Sequence, residues 1–312
     1  MALPQHVYWR RRLTAVAGLV AVGVVGVLSI GGDATEPAER LVARGVRPPP
    51  PPPELPRGGR RIFPDHRVVA YYGAPQSDEL GALGIGHPAA AALRLIRQAW
   101  PYDRPRRPLL PAFELITVIA NADPGQDGHY RTRQHDAVIR RYLKAARRAR
   151  ALLILDIQPG RSDFLQEATL LEKWLREPDV GLALDPEWRV TEDQVPGQVI
   201  GRVDAEEVNA TSAWLAQLVA RERLPEKLLV IHQFTDDMVD ERALAPRDGL
   251  AIVLNADGFG GREIKRAKYH RFTRQAPGFH QGFKLFYEED LDLLPPAAVL
   301  RMRPAPDFVV YE

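Results

Sequence analysis

Apolar residues in this chain gather into short unbroken runs, and each run ends on a polar or acidic residue. The runs are Val68 to Tyr72, Phe113 to Asn121, Leu152 to Asp156, Val180 to Trp188, Leu229 to Gln233, Ile252 to Asp257, Lys284 to Glu288 and Phe308 to Glu312. A parallel strand is buried on both faces, so it reads as a continuous apolar run. Helical spacing fills most of the gaps. It predicts helices over Pro88–Trp100, Arg131–Arg150, Ser162–Trp174, Asp204 to about Arg221, Asp237–Leu244, Arg262–Gln275 and Pro295–Met302. In the second of these, Val138, Tyr142 and Ala145 form the buried stripe. Eight strands alternating with helices predict the α/β class, as a (β/α)8 TIM-like barrel over residues 67–312 that lacks the last outer helix. The segment before the first strand is the candidate cover for that seam. A doubly wound open sheet is the runner-up, but no glycine-rich phosphate loop follows the first strand.

The residues before the barrel follow another pattern. Leu13 to Ile30 is uncharged and apolar, and Arg10, Arg11 and Arg12 stand directly before it. As a helix it would span about 27 Å, enough for the hydrocarbon core of a bilayer. The arginines predict a cytoplasmic N-terminus. Residues 1–32 therefore read as an uncleaved signal anchor, a single transmembrane helix that leaves the C-terminal domain extracytoplasmic; a cleaved signal peptide is the alternative. Residues 33–66, with the unbroken run Pro48–Pro53, read as a disordered Pro-rich linker of polyproline II character. A short helix over Ala34–Val46 is compatible with its composition.

Composition narrows the chemistry. The chain has no cysteine, which excludes disulfides, thiolate metal sites and cysteine nucleophiles. Its net charge is +2, with ten arginines against five acids in residues 1–67, leaving about −3 on residues 68–312. A mildly acidic domain predicts no nucleic-acid partner. The basic stretches Arg131–Arg150 and Arg262–Arg274 read as solvated outer faces. A monomer that uses no cofactor and no metal is expected.

In a barrel the chemistry gathers at the C-terminal strand ends. Asp185 and Glu187 share parity at the end of the fourth strand, with Cα atoms about 6.6 Å apart if the strand continues. Such a pair suits acid–base work on a glycosidic bond, one acid protonating the leaving oxygen while the other stabilises charge. Asp156 on the neighbouring strand would raise a partner's pKa by like-charge repulsion. The candidate catalytic residues are thus Glu187, Asp185 and Asp156. The candidate substrate-binding residues are Tyr72, Trp188, His232, Gln233, Asn255, Asp257, Tyr287 and Glu288, with Tyr71 and Phe259 adding aromatic surface. Plainer roles stay open for single members: Asp257 before Gly258 as a turn former, His232 as a satisfied core histidine, Glu312 as a surface group. A metal-dependent hydrolase using Asp156, Asp185, Glu187, His232 and Asp257 is a further alternative, although the chain has no His-x-His. No Gly-x-Ser-x-Gly elbow is present.

The fourth-strand Asp185-Pro-Glu187 is similar to the signature of family-18 chitinase-like glycoside hydrolases and family-25 lysozymes. The resemblance implies Glu187 as proton donor and Asp185 as its helper, acting on amino-sugar polymers. Gly181 and Ala183 stand where the fuller chitinase pattern has aspartates, and Tyr71-Tyr72-Gly73 stands where the lysozyme pattern has one. The strings Leu182 to Trp188, Leu254 to Gly261 and Gly282 to Asp290 also resemble a group of envelope-anchored bacterial barrel proteins, which implies a location at the cell envelope. The reading is a membrane-tethered glycoside hydrolase-like enzyme acting on envelope or extracellular glycans, with a non-catalytic glycan-binding barrel as the alternative.

Overall fold

The structure, a computed structural model, describes residues 51–312. Eight parallel strands form its centre: β1 (Arg67–Gly73), β2 (Leu109–Ala120), β4 (Leu152–Ile157), β5 (Val180–Leu184), β6 (Lys227–Gln233), β7 (Leu250–Ala256), β8 (His280–Leu285) and β9 (Phe308–Tyr311). Each pairs with the next, and β9 and β2 both pair with β1, which closes a barrel. A short antiparallel strand, β3 (Arg131–Arg133), adds to the end of β2. The helices are α1 (Pro88–Ala99), α2 (Asp136–Arg148), α3 (Phe164–Leu170), α4 (Glu172–Leu175), α5 (Ala205–Arg221), α6 (Arg262–Gln275) and α7 (Pro296–Leu300).

Alternation along the strands sorts the core into two shells. Outward residues such as Phe113, Leu115, Leu153, Leu155, Leu229 and Ile231 pack with the helices. Inward residues such as Ala70, Ala112, Ile154, Val230, Val253 and Val310 fill the barrel with Leu55, Ile62 and Phe63 from the segment before β1. That segment closes the end where the strands begin. The backbone N–H of Phe63 donates to Glu226 Oε2 (3.2 Å), and the Arg60 guanidinium donates to the Arg223 and Leu224 carbonyls (3.0 and 2.8 Å). The expected linker therefore gives way to folded chain before residue 67, because apolar side chains at 55, 62 and 63 have a floor to fill. The rest of that linker, the expected anchor and the Ala34–Val46 helix lie outside the described residues. No described helix is long and apolar enough to cross a membrane.

Several elements differ from expectation. The seam beside β9 is covered by α1 and its following turn, where the hydroxyls of Tyr102 and Tyr311 lie 2.7 Å apart, so the segment before β1 is left for the floor. The helix expected from Arg131 begins at Asp136, since residues 131–133 pair with the overhang of β2. Arg131 is buried against the fully buried Glu167 at 2.7 Å, and Lys265 of α6 against Asp290 at 2.7 Å, so neither sits on a solvated face. Ile139 and Leu143, with Tyr142 and Ala145, are buried on α2, whereas Val138 is half-buried. The helix expected from Ser162 is capped by Asp163, which accepts from Gln166 N at 2.7 Å, and it breaks at Leu171. Only a single turn, Glu241–Ala243, forms in the stretch 237–244.

Candidate active site

Toward the ends where the strands finish, the inward positions of six strands carry polar side chains. Tyr72 (β1), Glu114 (β2), Asp156 (β4), His232 (β6), Asn255 (β7) and Lys284 (β8) converge there, with Asp257 just beyond β7 and Glu312 just beyond β9. The first six are each less than 2 % exposed or nearly so, and Asp257 is 4 % exposed. They form a connected network. His232 spans the barrel: Nε2 lies 2.8 Å from Glu114 Oε1, and Nδ1 lies 2.9 Å from Asp257 Oδ2 and 3.3 Å from the Asn255 amide. Tyr72 donates its hydroxyl proton to Asp156 Oδ2 at 3.2 Å and accepts from Gln158 Nε2 at 2.9 Å. Lys284 reaches Asp257 Oδ2 at 3.1 Å and Glu312 Oε2 at 2.7 Å, with its ammonium 3.9 Å from the centre of the Tyr72 ring.

Gly282 makes room for part of this network. A Cβ there would lie 2.5 Å from Asn255 Oδ1, so any side chain would push the Asn255 amide out of the barrel. The register places Tyr72 beside Glu114, and His232 beside Asn255. The stagger of the closed sheet thus brings an acid from the middle of β2 level with residues at other strand ends.

Charge and burial set the protonation states. For Asp156, burial and then the negative charge of Asp185 push the carboxyl well above its usual range, and Glu114 adds to this; His232 and Lys284 offset only part. Burial alone would lower the His232 pKa, but Glu114 and Asp257 hold it well above the ordinary imidazole value. With both ring nitrogens facing carboxylates, the imidazolium is the form the geometry accommodates. Burial would raise Asp257, but Lys284, His232 and the Gly258 N–H at 2.6 Å hold it well below the carboxylate range. Asp156 is therefore the proton-bearing acid of the cluster, and Asp257 an ionised one.

Asp185 and Glu187 are buried, at 2 % and 4 % exposure, but they do not continue the strand. β5 ends at Leu184, and Pro186–Trp188 forms a 3-10 turn packed on β6. Pro186 cannot donate to the ladder, so the chain turns where the strand-parity argument had it continue. The Asp185 N–H still bonds Ile157 O at 3.0 Å, which keeps Asp185 at the rim beside β4. The negative charge of Glu187 acts on Lys268, whose ammonium donates to the carbonyls of Phe234 (2.9 Å) and Asp257 (3.2 Å). Trp188 is buried against Ala120 and Ile200 over the rim.

Of the residues expected from sequence, Tyr72, Asp156, His232, Asn255 and Asp257 join the network, and Asp185 acts on it by its charge. Gln233 points to the outer side of β6 and donates to Glu241. Tyr287 stacks on Tyr311 in the outer shell, 5.5 Å between ring centres, and Glu288 is exposed. Glu114, Lys284 and Gln158 were not singled out from sequence. The available signal was a charge inside an otherwise apolar run, Phe113-Glu114-Leu115 and Phe283-Lys284-Leu285.

Glu114, Asp156 and His232 are the described residues whose ligand atoms come close enough for an ion, all within 4.8 Å of one another. Glu114 Oε2 and Asp156 Oδ1 are buried without a hydrogen-bond partner. Both His232 nitrogens, however, already face carboxylates, so protons satisfy the histidine there. No protein-family model matches the sequence, and comparison with curated proteins returns no match.

Proposed function

We propose that the barrel is a glycoside hydrolase-like domain, held outside the cell by an N-terminal membrane anchor, that cleaves envelope or extracellular glycans by carboxylate acid–base catalysis. The observation that carries this reading is a set of buried carboxyls in unlike surroundings at the mouth: burial and the charge of Asp185 on the adjoining strand end favour the neutral form of Asp156, whereas Lys284 and His232, 3.1 and 2.9 Å away, favour the ionised form of Asp257. Carboxyl pairs whose surroundings drive their pKa values apart are suited to acid and base roles. In this reading Glu187 donates the proton to the leaving oxygen, as the Asp-x-Glu resemblance implies, and Asp185 stabilises the sugar cation while Asp156 sets its charge. Tyr72 and Trp188 supply aromatic surface next to these acids. The acids lie beneath rim residues, so productive binding requires the loop 189–203 or the glycine-rich stretch 257–261 to give way.

The test is turnover of peptidoglycan fragments and chitin oligomers by the wild type and by Glu187→Gln. The variant is expected to lose roughly 10²–10⁴-fold in rate. Turnover equal in the two proteins sinks the assignment of Glu187. Tight binding of fragments by the wild type without any product moves the reading to a glycan-binding barrel. Activity that is lost on chelation and restored by a divalent ion moves it to metal-assisted hydrolysis.

A further inference from the structure

The two ends of the barrel carry opposite charge. Because the eight strands are parallel, every connection that enters a strand lies at one end and every connection that leaves lies at the other. The entering connections are rich in arginine. Arg104 and Arg106 precede β2, Arg148 precedes β4, Arg223 precedes β6, Arg274 precedes β8 and Arg301 precedes β9. All six are exposed, and none makes an ion pair among the described residues. Several acids at this end are engaged, Asp65 by Arg61, Asp179 by Arg147, and Asp307 by Arg107 and His280, while Glu54 and Asp248 are exposed among the more numerous arginines. The cations crowd one another as well. Buried Arg67 is pushed down to about 10 by its burial and then by Arg107, and the Arg57 pKa is lowered by burial and then by the charge of Arg150. The leaving connections are rich in acids, with exposed Asp123, Asp127, Asp236, Asp237, Asp240 and Glu288, of which Asp127 pairs with Arg131 and Asp236 with Arg271.

Two further observations concern the basic end. Trp100, 70 % exposed, sits in the turn that leads from α1 into the loop of Arg104 and Arg106. An indole flanked by guanidinium groups suits the boundary between lipid headgroups and hydrocarbon. The chain also reaches the barrel from this end, since residues 55–63 lie under the floor. Residues 31–50, which separate the apolar run Leu13–Ile30 from Pro51, can span at most about 70 Å when fully extended. An anchor in a bilayer would therefore keep this face at high local concentration near the membrane.

We propose that the basic end of the barrel docks on an anionic phospholipid surface, which turns the polar mouth away from the bilayer and toward the wall. The orientation rests on the reading of Leu13–Ile30 as a membrane anchor. Arginines near an anionic leaflet gain attraction that falls off within a Debye length, so the contact is salt-sensitive.

The absence of cysteine allows one nitroxide at a chosen position. Full-length chain carrying Pro105→Cys (basic end) or Gln126→Cys (mouth) is placed in nanodiscs containing either phosphatidylglycerol with phosphatidylcholine or phosphatidylcholine alone. Accessibility to a water-soluble relaxant is then read by electron paramagnetic resonance. The label at 105 is expected to be shielded several-fold in anionic discs and released by high salt or by Arg104→Glu/Arg148→Glu/Arg223→Glu, with the denaturation midpoint checked to show that the variant folds. The label at 126 should stay open throughout. Equal exposure of position 105 in both disc types overturns the proposal. So does shielding in phosphatidylcholine discs on addition of soluble polyglycerol phosphate alone, which assigns the face to an anionic wall polymer. If the full chain does not insert into discs, the anchor reading fails. The docking surface is then tested by sedimentation with preformed anionic vesicles at low salt, and absence of binding there overturns it.

Discussion

The same strands build two unlike halves of one barrel interior. Near the floor the inward residues are apolar: Val68, Leu110, Leu228 and Phe308 meet Leu55, Ile62 and Phe63 from the preceding segment. At the other end the inward residues are Tyr72, Glu114, Asp156, His232, Asn255 and Lys284, nearly as inaccessible to water. Burial is therefore not what separates them. The floor gains from removing hydrocarbon from water, while the upper tier takes charges out of water and regains that cost only through mutual pairing. A fold keeps such an arrangement where chemistry is done, and a hydrophobic replacement of similar volume would be neutral or stabilising.

That contrast breaks most visibly at Lys284. Lys284→Met leaves Asp257 and Glu312 without the ammonium that lies 3.1 and 2.7 Å from them. The expected cost is about 3–5 kcal/mol in a urea melt, because a buried charge loses its partner. The double variant Lys284→Met/Asp257→Asn should recover a substantial part of it. A Lys284→Met melt unchanged from the wild type would show that the tier is not held by charge.

Truncating the floor is expected to act mainly through packing, with the Arg107 guanidinium 5.6 Å from the Phe63 ring centre as a smaller contribution. Phe63, 3 % exposed and 4.5 Å from the His280 ring, should cost about 3 kcal/mol on conversion to alanine. The stability of Phe63→Ala should follow the same pH dependence as the wild type, whereas that of Lys284→Met should not.

The smallest effect lies in that pH dependence. His232 has a folded pKa above its unfolded value of about 6.5, so its contribution is complete below that value and is lost as pH rises through the raised one. Asp156 acts in the same direction from about 3.9 upward, since the fold prefers its neutral form. Asp257 acts oppositely: its contribution is present above about 3.9 and is lost only as pH falls through its depressed pKa. Stability should thus decline from about pH 4 upward through Asp156 and more steeply above about 6.5 through His232, with a slope of up to about 1.4 kcal/mol per pH unit for each group titrating. Lys227, at the start of β6, supplies the counter-trend. Burial lowers its pKa to about 7, so the penalty for its charge is full below that value and eases as pH rises toward 10.5. In Lys227→Met that recovery at alkaline pH should vanish. Denaturant midpoints measured from pH 5 to 9 test these slopes: a flat wild-type profile below about pH 6.5 would remove the raised Asp156 pKa from the account, and no loss above about 6.5 in Lys227→Met would remove the imidazolium.

Much of the fold could be read from the chain, for a local reason. A strand covered on both faces must be apolar along its length, and a surface helix must show one apolar stripe, so β1, β4, β6, β7, α5 and α6 were placed within about a residue or two. The site was legible where a polar residue stood at the end of a run, as with Asp156, His232, Asn255 and Asp257. It was not legible at Glu114, inside a run, or at Lys284, at the head of one. Gln233 failed by parity, since one step along a strand from His232 points to the opposite face. Glu187 and Tyr287 lie past the last paired residues of their strands, where alternation no longer says which way a side chain turns.

By itself, the order of residues determined the alternation of strand and helix, the α/β class and the acidic character of the strand ends, because these depend on hydrophobic periods only a few residues long; closure of the sheet is a pairing of β1 with both β2 and β9. Which acids meet was decided by tertiary structure alone. The stagger between strands lifts Glu114 to the level of Tyr72, and closure brings His232 between Glu114 and Asp257. Their pKa values follow from those distances and from the exclusion of water, quantities that exist only once the barrel has closed.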